Sequence, residues 1–196
     1  MANFFVGYEL MTDDVGVSLA SGEISKSLSD PIKVAKAKDE LNEKMAKMPI
    51  TGRIKSVCVL DGDGNILVDE TDPNKASGAL LSCLEGKATD DFDRVFGFGI
   101  RDALRTAYLF HLRTLPRNIA YLSAWLLMPN LPVKFDDEMV VFVDPYADAL
   151  KADVQKQISL DALCVYLNVD VAVDMPTHVA QATRVGLLAK AMGLTT

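Results

Sequence analysis

Apolar residues recur at helical spacing over much of this chain, and three of the stretches that show it open on the same step: Asp30-Pro31, Asp72-Pro73 and Asp144-Pro145. A carboxylate at the N-cap accepts a hydrogen bond from an orphan backbone N–H, and proline at the first helical position forfeits no intrahelical bond. After the first step, Ile32, Val34, Ala35, Leu41, Met45 and Met48 form a stripe opposite Lys33, Lys36, Lys44 and Lys47, which predicts a helix over 31–48 ended by Pro49. The second step leads into Ala76, Leu80, Leu81 and Leu84, with Gly86 placed to close that helix in a left-handed cap. The third leads into Ala149, Leu150 and Val154. Thr177 then caps a last helix carrying Val179, Ala182, Val185, Leu188 and Ala189, which Gly193 ends.

Between the first two helices the period changes. Ile54, Val57 and Val59, the turn Asp61-Gly62-Asp63-Gly64-Asn65, and Ile66 to Val68 read as strand, tight turn, strand. Met139 to Val143 suits a short strand, and the early part of 163–173 suits a helix over 160–168. Residues from about 90 to Leu115, Pro116, and an apolar run over 117–128 read as two helices joined at a proline. The expected fold is therefore α+β and predominantly α-helical. About six or seven helices surround a buried central helical hairpin at about 92–128, with a small β-hairpin at about 54–70.

The 196 residues, 49% of them hydrophobic, suffice for one cored domain over 1–196. Residues 1–28 lack a clean period and are expected to form an N-terminal arm, with a small α/β lobe over 29–72. Phe4, Phe5 and Tyr8 on that arm are candidate anchors for self-association. The longest apolar run, Ile119 to Met128, falls short of the ~20 residues that span a bilayer, and the first residues lack a basic, apolar signal pattern. A cytoplasmic protein without membrane contact is expected, or a virion component if it is a coat protein. Cys58, Cys83 and Cys164 are too widely spaced for a disulfide framework or a zinc site and read as buried thiols.

Charge comes in blocks: −4 over 1–25, +4 over 26–55, −7 over 56–93, +4 over 94–118 and −4 over 119–196, for a net −7. Such alternation suits copies that meet positive patch to negative patch, and equally suits pairing within one chain. Five of the seven arginines, Arg94, Arg101, Arg105, Arg113 and Arg117, fall in the fourth block. On a helix the first three form a stripe that can follow a phosphate backbone, because guanidinium presents a planar fork of donors. The same arginines can instead pair with the acidic blocks.

Other chemistry is weaker. Asp61, Asp63, Asn65, Asp69 and Asp72 occupy calcium-loop positions, but Ile66 stands where the turn needs glycine, so turn geometry is the simpler reading. The aspartates at 90, 91, 93, 136 and 137, with Glu138, fit magnesium or an ordinary solvated surface. His111 reads as a core residue and His178 has no metal-ligand neighbour in sequence. No catalytic residue, metal ligand or cofactor is assigned. The sequence points to a structural, self-associating subunit of coat or nucleoprotein type. The alternatives are a small metal-dependent enzyme acting on a phosphorylated substrate and a non-catalytic adaptor.

Overall fold

The computed structural model describes residues 2–24, 29–48, 51–88, 93–100, 103–104, 106–107, 134–135, 138–139, 160–166, 168–169, 174–191, 193 and 195. Its organising element is a four-stranded mixed sheet of β1 (Asn3–Thr12), β2 (Gly52–Leu60), β3 (Ile66–Glu70) and β4 (Arg94–Gly97), in the order β3-β2-β1-β4. β1 runs antiparallel to β2 and parallel to β4, and β2 runs antiparallel to β3. The first strand of the chain is thus internal to the sheet.

β1 owes its poor sequence period to being covered on both faces. Phe4 and Val6 point to one face, where they meet α3 (Pro73–Lys87) through Leu80, Leu81 and Leu84, and the helical residues Ile100, Ala103, Leu104 and Ala107. Phe5 points to the other, packing with Phe96, Leu60 and the C-terminal helix through Ala182, Val185 and Ala189. A strand buried on both sides reads as a continuous apolar run rather than an alternation.

The helix-start reading holds at both described Asp-Pro steps. Asp30 accepts from the N–H of Ile32 and Asp72 from that of Asn74, each at 3.0 Å, at the heads of α2 (Pro31–Ala46) and α3. Asp144-Pro145 lies outside the described residues. A further cap is found within the expected arm, where Asp13 accepts from Gly16 N–H at 2.9 Å and opens α1 (Asp14–Glu23). Two more helices follow, α4 (Leu160–Tyr166) and α5 (Thr177–Ala191), the latter closed by Gly193 at φ +68°. Gly86 does not end α3, which continues to Lys87. A two-stranded ladder joins β5 (Lys134–Phe135) to β6 (Glu138–Met139).

The class is α+β, but the expected architecture of six or seven helices around a helical hairpin is overturned. Among the described residues only α1, α2, α3 and α5 reach ten residues, and the organising element is the sheet. The proposed hairpin at 92–128 begins as β4 instead, because Val95 and Phe96 alternate between the two buried faces of the sheet. Residues 108–128 lie outside the described set.

Two glycines let layers approach. A Cβ on Gly7 of β1 would stand 2.0 Å from the His178 carbonyl oxygen and 2.4 Å from the Ala182 nitrogen, so α5 rests directly on the strand backbone. A Cβ on Gly52 would stand 2.3 Å from the Ala46 carbonyl oxygen, where the end of α2 seats at the start of β2. Thr51 secures that seat by donating from its hydroxyl to the Met45 carbonyl at 2.7 Å.

Candidate functional site

The close approach of α5 at Gly7 gathers a polar group over β1, β2 and β3. His178, in the first turn of α5, is buried, and its Nε2 lies 2.8 Å from Oδ1 of Asp69 on β3. Asp69 pairs in register with Cys58 of β2, which in turn pairs with Gly7 of β1. Gln181, one turn beyond His178, accepts from the N–H of Tyr8. That donor lies past Val6, where the ladder to β4 ends, so the glutamine replaces a strand partner. The Tyr8 hydroxyl donates to the Phe98 carbonyl at 2.9 Å, and next to this group the Ser56 hydroxyl donates to Glu9 at 2.8 Å.

A cysteine next to a carboxylate that holds a histidine has some of the parts of a nucleophilic site, but the electrostatics oppose it. Burial, and secondarily the negative charge of Asp69, push the Cys58 thiol up to about 12. An active thiolate needs the reverse shift. Among the described residues no group of three His, Cys, Asp or Glu side chains is placed to hold a metal ion. The arrangement acts as a clasp joining α5 to the edge strand β3.

The shifted thiol has a consequence for stability. From about pH 9 upward an unfolded cysteine gives up its proton while Cys58 in the fold keeps it up to about pH 12, so the unfolded chain binds fewer protons and is favoured. Stability to urea should fall as pH rises through that window, and the fall should shrink in Cys58→Ala. Equal slopes in both proteins would rule out this cause.

The hairpin turn that resembled a calcium loop divides into separate local roles. Asp61 accepts from the N–H groups of Asp63 at 3.0 Å and Asn65 at 2.8 Å and from the Asn65 side chain. The Asn65 side-chain bond is the main cause that lowers the Asp61 carboxyl below its ordinary range. Gly64 takes φ +88°, which favours glycine. Asp69 meanwhile faces His178 and Asp72 caps α3. Asp61 is thus spent in the turn, and Asp69 and Asp72 act elsewhere.

The sequence-derived candidates scatter. Arg94 is half-buried in β4, paired in register with Asn3, while Arg101, Arg105, Arg113 and Arg117 lie outside the described residues, as do Asp90, Asp91, Asp136, Asp137 and His111. Asp93 is buried and accepts from the Ala2 N–H at 2.6 Å. Phe4 and Phe5 are core residues and Tyr8 is half-buried, so none provides the exposed arm anchor that was expected. The clasp went unseen because its histidine and aspartate are 109 residues apart.

Exposed apolar residues occur on α1 and α2, and also at Ile66 on β3 and Val165 on α4. Val15 and Leu19, one turn apart on α1, are 60% and 52% exposed, and Ile32 in the first turn of α2 is 80% exposed. Between Asp14 and Glu23 α1 carries no charge at all. Of α2, only Met45 and Ala46 are buried. Among the described residues, no helix is long and apolar enough to cross a membrane. Comparison with known proteins gives no matching family model, no matching curated protein and no matching solved structure.

Proposed function

We propose that this is a structural, self-associating protein whose α1–α2 unit forms a contact between copies. The observation that carries the reading is the apolar exposure of Val15, Leu19 and Ile32 on two adjoining helices. Isolated exposed apolar residues are ordinary on a soluble protein, but an uncharged helix face with two of them one turn apart favours association. The clasp of His178 and Asp69 supports a non-catalytic role, since its neighbouring thiol is held protonated. Contact with nucleic-acid phosphates through Arg94, Arg101, Arg105, Arg113 and Arg117 belongs to the proposal on the strength of the sequence alone.

Light-scattering mass after size exclusion, over a range of protein concentration, tests the first part. The expected mass rises with concentration, and Val15→Asp combined with Leu19→Asp weakens association about tenfold or more, given what burying such side chains contributes. A monomer at every concentration overturns self-association. The absorbance ratio at 260 and 280 nm across each peak tests the second part, and particles free of nucleic acid after assembly from a cell extract count against it. Specific capture of a different protein by a strictly monomeric chain would mark an adaptor.

A further inference from the structure

We infer that copies associate head to tail, the acidic end of the β2–β3 hairpin of one copy docking on the basic first turns of α2 in the next. This rests on the self-association proposed above and specifies its geometry. The two surfaces differ sharply in charge. Residues 61–72 carry five carboxylates and no lysine or arginine; Asp69 is engaged by His178 and Asp72 by the α3 cap and Lys75, which leaves Asp61, Asp63 and Glu70 as the charges on offer. Residues 31–38 carry Lys33, Lys36 and Lys38 and no carboxylate.

Each surface also carries an apolar residue that its own chain leaves out. Ile66, at the start of β3, is 56% exposed beside the acidic turn, and Ile32, among the three lysines, is 80% exposed. An apolar residue rimmed by charge of one sign matches an apolar residue rimmed by the other. The apolar contact contributes affinity, and the charges fix orientation and speed encounter.

The two surfaces lie on different elements: the basic first turns open α2, whose C-terminal end seats at Gly52, and the acidic turn follows Leu60 at the other end of β2. A contact between unlike surfaces is heterologous, so it propagates into a ring or a filament rather than stopping at a two-fold dimer. That outcome fits a structural subunit, and the net charge of −7 penalises pairings that set acidic surface against acidic surface.

Charge swapping between two variants provides the test. One carries Lys33→Glu, Lys36→Glu and Lys38→Glu; the other carries Asp63→Lys and Glu70→Lys. Light-scattering mass is read for each protein alone and for their equimolar mixture, at low and high salt. Each variant alone is expected to associate about a hundredfold more weakly than the parent, because like charges then face one another. The mixture is expected to regain assembly at low salt and lose it as salt rises, since each variant's altered surface complements the other's. Regained assembly also shows that both variants fold. A parent that associates while both variants match it overturns the head-to-tail contact and leaves self-association standing. So does a mixture that stays monomeric when far-ultraviolet circular dichroism shows both variants folded. A parent that never associates overturns both.

Discussion

Phe5→Ala is expected to lower the free energy of unfolding by about 3–5 kcal/mol, the range for removing a large aromatic side chain from a packed interior. Phe5 is 2% exposed, and its ring stacks on Phe96 with centroids 5.6 Å apart and planes 25° from parallel. It also lies over Gly186 of α5, where an added Cβ would meet the ring at 3.1 Å. Deleting the ring removes contacts from both neighbouring strands and the helix above, and the backbone under a central strand has little freedom to collapse into the gap. Urea unfolding followed by circular dichroism measures the loss. An arm anchor would behave in the opposite way, weakening association while leaving unfolding unchanged, so one variant separates the two placements of this residue.

The helix boundaries that sequence revealed are those with a local cause. Asp30 and Asp72 cap through hydrogen bonds that span two residues, and the Asp61–Asn65 turn closes on itself, so the signal and the interaction share one short segment. β1 is different. Its ladder partners, from Gly52 to Leu60 and from Arg94 to Gly97, lie far along the chain, and nothing within Asn3–Thr12 names them. With both faces buried, the alternation that marks a half-exposed strand is erased, leaving aromatic residues that mimic an arm. The same nonlocal origin hid the clasp, since His178 gains its role only when α5 is laid across the sheet. Charge blocks were legible as numbers. Which blocks carry an exposed apolar residue depended on the fold.

Gly7→Ala is expected to destabilise the protein by about 3 kcal/mol, the upper part of the usual range for overpacking. Gly7 is not among the glycines with positive φ, so alanine suits the backbone there and the cost is steric. The new Cβ would lie 2.0 Å from the His178 carbonyl oxygen and 2.4 Å from the Ala182 nitrogen. Both are main-chain atoms of α5, so relief requires the helix itself to retreat, stretching the His178–Asp69 clasp and the bond from Tyr8 N–H to Gln181. Gly186→Ala supplies the control from the other side of the same contact. The atoms nearest its Cβ are Phe5 ring atoms, from 3.1 Å outward, and alanine recovers about 1 kcal/mol of helix propensity, so its net effect should be close to zero. Urea unfolding compares the two variants, and amide hydrogen exchange at Tyr8 reports whether the helix has lifted. Faster exchange with lost stability in Gly7→Ala alone locates the strain at this crossing. Equal effects in the two variants would mean that α5 adjusts freely, and the close approach at Gly7 would then not be what fixes the helix on the sheet.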